Sequence, residues 1–458
     1  MILRSPNRQE LVAGVVIKEV SITPLGGEKA IDISNSILSI AYFENILEPS
    51  VSVELEVFSS ASLFNELPIR GGEKVEFEII VKDSNKPFTL MGDDAMYVYK
   101  VSNLRSDKTN ETFTLHLITR DYLTNETSRC LKKYNKTSID THVKDILQNT
   151  LQTPKSISDI ETTSNAYTFI GNNKKPFHTL QWLGPKGVTG NHGVSPKPNT
   201  VKEKGTKIGE AKGTGGFLFY ENKDGYHFKS IESLVSPTNS GKSSADSKSI
   251  LSYTFGGAIE EHKSPLEIIK FFWDKNIDIR KSLRVGMYSN ITWIYDRNTD
   301  QVNVYKYDLN KEAKGGASLG KKGMDTPAEL FGSSPSRVLT RVSDHGTLEV
   351  GLADKSEPQE SGRDEADMAK SFSRYNLLFT QALNILVPCN TNLKVGDIIE
   401  CNFPQRRSTD AGKASEFDPE TSGLYLIREL RHSFVPNQNT TSLKLMRDSY
   451  GLYGPEQD

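Results

Sequence analysis

Cysteine, tryptophan and net charge are all scarce in this chain. Three cysteines (Cys130, Cys389, Cys401) among 458 residues form an odd, sparse set. That fits folding in a reducing cytoplasm better than a disulfide framework. The N-x-S/T triplets, such as Asn110-Glu111-Thr112, then read as background rather than glycan acceptors. Lysine plus arginine number 56 against 58 aspartate plus glutamate, for a formal charge of −2 and a pI near 6.5. No global field therefore draws the protein to nucleic acid or an anionic membrane. No apolar run approaches the roughly 20 residues that cross a bilayer. The opening stretch, Met1 to Glu10, lacks the basic-then-apolar order of a secretory signal. A soluble chain made in the cytoplasm is expected. Hydrophobic content of 36% and a mean hydropathy of −0.48 are low for a compact enzyme and fit long polar loops.

What the chain does carry is an internal repeat. Residues 69–79 read I-R-G-G-E-K-V-E-F-E-I, and residues 393–403 read L-K-V-G-D-I-I-E-C-N-F. Each is a glycine turn (Gly72-Glu73, Gly396-Asp397) feeding a strand whose alternate side chains face a core. After each copy come a loop, an aromatic-rich strand (Met96 to Val101; Leu424 to Leu430), a turn, and an alternating strand ending in Arg-Asp. The glycine-to-arginine spacings, 48 and 51 residues, nearly agree. A duplicated β-domain follows, because agreement in order and spacing is harder to reach by chance than one matching window.

The rest of the chain is organised around those copies. Residues 11–24, 36–43, 50–58, 74–83, 95–104 and 111–119 read as strands, with a helical turn from Ser60 to Glu66. They predict a first antiparallel barrel over 1–120. Residues 121–214 read as a helical or mixed insertion with a long loop from 184. Its helices are Asp121 to Tyr134, a Ser138-capped helix with Ile139, Val143, Ile146 and Leu147 inward, and Pro176 to Leu183. Residues 215–307 supply strands to a second barrel and to the insertion, including a hairpin around Asn222-Lys-Asp-Gly225 and a helix start at Pro265 to Trp273. Residues 308–366 read as flexible loops, 367–452 as a helix and the completion of the second barrel, and 453–458 as a tail. The fold class is mainly β (α+β): two antiparallel barrels with inserted helical and mixed domains.

Catalytic motifs are thin. Gly315 to Lys322 imitates a phosphate-binding loop but puts Lys322 where Ser or Thr would hold Mg²⁺, without the flanking strand and helix that such a loop needs. The eight histidines form no H-E-x-x-H motif and no zinc-ligand spacing. Asp344-His345 has no nucleophile elbow to serve, and carboxylate pairs assembled only in space are open. No catalytic, cofactor-binding or metal-ligating residue and no cofactor is therefore assigned. Arg120-Asp121 and Arg447-Asp448, at the repeat ends, can each tie a strand end to a neighbouring turn or stand as solvated charge pairs.

Several stretches carry a family likeness: S-I-A-Y-F-E-N-I-L-E-P-S-V-S-V-E-L-E-V (39–57), P-I-R-G-G-E-K-V (68–75) and G-F-L-F-Y-E-N-K-D-G-Y-H-F (216–228). Others are S-R-Y-N-L-L-F (373–379), N-T-N-L-K-V-G-D-I-I-E (390–400), S-G-L-Y-L-I-R-E-L-R-H (422–432) and L-M-R-D-S (445–449). In their order they make the chain resemble the central baseplate hub of contractile-tailed phages, the T-even-type hub. The resemblance spans nearly the whole chain apart from the loops at 184–215, 309–337 and 351–366. It implies two tail-tube-like barrels per subunit and three subunits per ring, so that a threefold ring meets a sixfold tube. It further implies a non-catalytic adaptor between tail tube and central spike, enclosing part of the DNA conduit. The implied partners are a homotrimer of this chain, the tail tube protein or its initiator, the spike, and beyond them tape-measure and baseplate wedge proteins. Viral DNA would pass through, nothing would insert in a membrane, and the site of action would be the virion tail baseplate, assembled in the host cytoplasm. Two other readings stay open: a host-receptor or glycan-binding module, and a tail enzyme degrading peptidoglycan or polysaccharide.

Overall fold

The computed structural model describes residues 15–59 (without 28), 67–81 (without 68), 87–107, 110–189, 215–236, 250–256, 265–296 (without 275–277), 301–309, 318–320, 335–343, 363–404, 417–435 and 439–451. The helical turn expected at 60–66, Asp344-His345, most of the loop from 184, and the 453–458 tail lie outside the described residues.

The protein is mainly β. The leading part contributes β1 (Val15–Thr23), β2 (Ile31–Asp32), β3 (Ile37–Asn45), β4 (Ser52–Ser59), β5 (Lys74–Val81), β6 (Phe88–Leu90), β7 (Met96–Ser106) and β8 (Glu111–Thr119). Its strands pair in the order β1-β5-β7-β8-β4-β3, all antiparallel. Strict alternation drives this: Val53, Leu55 and Val57 of β4, and Val75, Phe77, Ile79 and Val81 of β5, all point inward. Ile31 to Ile33, just ahead of β3, pair back onto β1, so the order returns on itself.

An inserted layer follows: α1 (Arg120–Thr127), β9 (Lys133–Ser138), α2 (Ile139–Asp145), β10 (Asp159–Ile160), β11 (Ala166–Ile170), α3 (Pro176–Leu183), β12 (Phe217–Asn222), β13 (Gly225–Ser230) and α4 (Ile231–Val235). Ile139, Val143, Ile146 and Leu147 are fully buried, as their spacing requires. Strand β12 is buried on both faces. Phe217 and Phe219 enter the insertion's own core, while Leu218 and Tyr220 enter the barrel core. That double burial explains why its sequence is apolar without alternation.

The trailing part runs β14 (Ser252–Thr254), β15 (Lys270–Asp274), α5 (Ile279–Arg284), β16 (Ser289–Asp296), β17 (Gln301–Asp308), β18 (Arg337–Ser343), α6 (Arg363–Leu377), β19 (Gln381–Pro388), β20 (Ile398–Asn402), β21 (Gly423–Phe434) and β22 (Thr440–Arg447). Its barrel strands pair in the order β14-β20-β21-β22-β19-β15. Strand for strand, and in the same chain order, this repeats the leading unit. The closing bonds repeat as well: Leu266 to Ile268, just ahead of β15, pair with β14. One difference is that β14 runs parallel to β20 where β1 runs antiparallel to β5. Strands β3 and β21 join the two units into one sheet with a shared hydrophobic core.

Several expectations change in the folded chain. The stretch Pro265 to Trp273 forms no helix and ends in strand β15: Phe271 packs tilted and Trp273 edge-on against Phe403, and Trp273 reaches Tyr425, while Lys270, Phe272 and Asp274 face out. A period-two alternation of burial along β15 outweighs the proline start signal. The β12–β13 hairpin pairs with β10 rather than with the second barrel. Strand β16 follows α5 and pairs with β17 and β18 in a separate sheet rather than in the second barrel. The helix expected from Asp121 to Tyr134 stops at Thr127, and β18 forms within the stretch read as loops.

The insertion is pinned to the first barrel by the buried Glu221, whose charge is balanced within the insertion. Lys155 and Glu221 contact each other with almost no exposure, and Glu221 also accepts from the Val51 amide at 3.1 Å. Burial pushes the Glu221 carboxyl up. Burial alone would lower Lys155, but the facing carboxylate outweighs it and holds the ammonium charged. Removing one partner strands a buried charge. Lys155→Met is expected to cost roughly 3–5 kcal/mol in denaturant unfolding, and pairing it with Glu221→Gln to recover most of that loss.

Candidate functional site

The two repeat turns build the same local bonds. Gly72 donates to the Val98 carbonyl (2.7 Å) and Val98 to Glu73 (2.9 Å); Gly396 donates to Ile427 (3.1 Å) and Ile427 to Asp397 (2.9 Å). The acid caps its own turn in both. Glu73 accepts from the Arg70 and Gly71 amides, and Asp397 from the Lys394 amide. Both glycines hold left-handed φ, +93° at Gly72 and +89° at Gly396. Immediately beyond each turn the long strand carries a bulge, between Val98 and Lys100 in β7 and between Ile427 and Glu429 in β21.

What surrounds the turns differs. A side chain at Gly72 would meet only the flexible tip of Leu25 at 3.2 Å, whereas one at Gly396 would overlap the Tyr220 hydroxyl. Gly72→Ala is expected to cost about 1–2 kcal/mol from its backbone strain alone. Gly396→Ala should cost clearly more, a difference readable as the gap between the two chemical-denaturation midpoints.

The second turn, the insertion and β3 meet at Glu44. This carboxylate is fully buried on β3. It accepts from the Tyr42 hydroxyl (2.8 Å), the Lys223 amide (2.9 Å) and the Val395 amide (2.8 Å). One side chain therefore ties the first barrel to the hairpin turn of the insertion and to the turn ahead of Gly396. Asn222 adds a bond to the Val395 carbonyl, and the Lys394 and Lys223 ammonium groups reach Asp224 and the Thr391 carbonyl. His432 of β21 lies opposite Tyr42, stacked with ring centroids 6.0 Å apart. The signal for Glu44 was available in the sequence: Ile40, Tyr42 and Glu44 share an inward row, and an acid there needs partners.

Burial raises the Glu44 carboxyl to about 7, against the lowering effect of its hydrogen bonds. Burial lowers the His432 imidazole to about 3. The signs of linkage are opposite. A raised carboxyl contributes stability below its unfolded value that is lost as pH climbs through about 7. A lowered imidazole costs stability as pH falls below the ordinary histidine value. The stability difference between wild type and Glu44→Gln is therefore expected to shrink by about 3 kcal/mol from pH 4.5 to pH 8. Urea titrations across that range measure it, and a pH-independent difference would refute the assignment.

The Arg-Asp dipeptides take different places. The matched turns align Val98 with Ile427, and these pair with Leu117 and Leu445, so Thr119 corresponds to Arg447 and Arg120 to Asp448. Arg120 is exposed at the start of α1, while Asp121 is buried and accepts from the Thr153 and Tyr226 hydroxyls. Arg447 is fully buried beneath Gly423, donating to the Ser422 and Gly451 carbonyls. Asp448 accepts from the Leu319 amide at 3.0 Å, and Ser449 from the Gly320 amide at 2.7 Å. The described part of the glycine run, Ser318 to Gly320, thus docks on the end of β22 with those amides engaged.

Among the described residues, no group of three or more His, Cys, Asp or Glu is placed to hold a metal ion, and no helix is long and apolar enough to cross a membrane. All three cysteines are buried, and burial pushes the Cys389 thiol up to about 12.

No protein-family model matches the chain, and no curated protein matches its sequence. Solved structures do match. The 43 kDa tail protein of prophage MuSo2 from Shewanella oneidensis aligns over 94% of this chain and 99% of its own, at 10% identity and TM-score 0.51. A tail protein from Neisseria meningitidis MC58 aligns over 96% and 98% at 11% identity and TM-score 0.47. Prophage tail protein gp18 from Listeria monocytogenes EGD-e aligns over 94% and 95% at 10% identity and TM-score 0.46. The chain shares its mainly β fold with the MuSo2 tail protein.

Proposed function

We propose that the chain is the structural hub of a phage tail baseplate, a non-catalytic adaptor acting as a ring of three copies. The observation that carries this is the duplication: two barrels with one strand order and one turn chemistry lie in a single chain, joined edge to edge through β3 and β21. Three such chains present six similar units, which lets a threefold assembly meet a sixfold tube without a symmetry mismatch. The likeness to the MuSo2 tail protein supports a tail role.

On this reading the hub joins the tail tube above to the central spike below and walls part of the path of the DNA. The buried junction at Glu44 and the Lys155–Glu221 pin suit a rigid adaptor, because each locks the insertion onto the barrels through groups already fully bonded. Imaging of assembled tails with the chain labelled should find three copies around the axis, at the level where tube meets spike. Six copies, one copy, or a peripheral position would each defeat the proposal.

A further inference from the structure

Strands β16, β17 and β18 form a small mixed sheet with β16 in the middle, antiparallel to β17 and parallel to β18. Helix α6 covers one face. Asn290 donates to the Ser373 hydroxyl at 3.1 Å, and the Arg337 guanidinium lies 5.0 Å over the Phe372 ring. Along β16 the alternation is inverted for a sheet with one covered side. The residues on the α6 side are Asn290 and Thr292, both fully buried, while Ile291, Trp293 and Tyr295 take the other face.

The pairings place Val338 beside Ile291, Val304 beside Trp293, and Val302 and Val342 on either side of Tyr295, all on that second face. It is open among the described residues: Trp293 is 47% exposed, Val338 57% and Val342 58%. Single exposed apolar side chains are ordinary, but these registered rows make a contiguous patch on the order of 500 Å², the size at which a patch marks an interaction site. Parallel pairing of the β16–β18 kind is moreover characteristic of sheets covered on both faces.

We infer that this open face is the docking site for one amphipathic α-helix of a different polypeptide, aliphatic on its buried side and carrying an acid opposite Lys306. The size of the patch selects a helix. Three strands about 4.8 Å apart and three rows about 6.8 Å apart give a strip roughly 10 Å by 14 Å. That is the width of a single helix and about nine residues of its length. The covered face already takes one helix in the same way, the 15-residue α6. A second copy of this chain is a poorer fit, because a stable interface between globular partners needs about 800 Å² a side. Charge enters at one end of the strip. Lys306 shares the row of Ile291 and Val338, is exposed, and has no ion pair among the described residues. An acid one turn beyond the aliphatic stripe would meet it and set the direction of the helix. That the partner belongs to the tail rests on the hub reading; the face itself does not.

Photocrosslinking in assembled tails tests the site. The benzophenone residue p-benzoylphenylalanine in place of Val304 or Val342 should link, on irradiation, to one segment of a polypeptide other than this chain, at positions three or four residues apart. The same residue in place of Val16, exposed on β1, should not reach that segment. Adducts confined to this chain or to a second copy of it, adducts to nucleic acid or glycan, or no adduct from either position would each overturn the docking site. Lys306→Glu should lower the adduct yield several-fold while Lys306→Arg keeps it, and an undiminished yield from Lys306→Glu would overturn the acidic contact. In the isolated chain Val304→Thr should leave the thermal midpoint unchanged, since an open face loses nothing. A lowered midpoint would mean that the chain covers this face itself, and would overturn the site. Imaging separates this from the hub reading. Three copies where tube meets spike, without the adducts, overturn the docking site alone; the adducts in particles where the chain lies elsewhere overturn the hub alone.

Discussion

The architecture depends on one edge-to-edge pairing, β3 against β21, with a buried carboxylate at its end. Backbone groups at a sheet edge must find partners, and here each barrel supplies them to its sister. Glu44 turns that pairing into a three-way junction, because its two oxygens collect donors from β3, from the insertion and from the turn ahead of Gly396. A carboxylate so deeply buried is tolerated only where its lone pairs are taken up. Any movement of the insertion or of the second barrel would release one of those donors, and so the three parts are held in one arrangement.

Duplication explains how such a junction arises. The two barrels share turn bonds, bulge position and strand order, yet their surroundings have diverged. The first turn sits under Leu25, and the second under Tyr220 of the insertion. The first barrel's β3 runs by a tight turn into β4, whereas the span between β15 and β19 holds a separate three-stranded sheet and α6. Divergence has therefore loaded the periphery of the second barrel while leaving its strand order unchanged.

The repeat was legible because turn chemistry is local. A glycine that must adopt positive φ, followed by an acid that caps its own turn, leaves the same short signature wherever it occurs. The strands of the first barrel were legible from alternation, and α2 from its four inward apolar residues. Failures came where tertiary packing overrode local signals. Phe271 and Trp273 form a strand because Phe403 and Tyr425 wait for them across the core. The β12–β13 hairpin pairs within the insertion because one of its faces fills the insertion's own core, while the other covers the barrel core. The Arg-Asp dipeptides matched in sequence but are offset by one position in the folded repeat, which puts Arg447 in the interior and Arg120 in solvent.

Residue order alone determined the strand-forming segments, the glycine turns and the existence of two related halves, since each depends on side-chain alternation or on a single backbone conformation. Only the tertiary structure decided which strand edges meet. Pairing between distant strands is set by complementary faces and by long-range hydrogen bonds, which leave no mark in any short window. Glu44 shows the division: its inward parity was written in the chain, while Lys223 and Val395, its donors from 179 and 351 residues away, were brought to it only by folding.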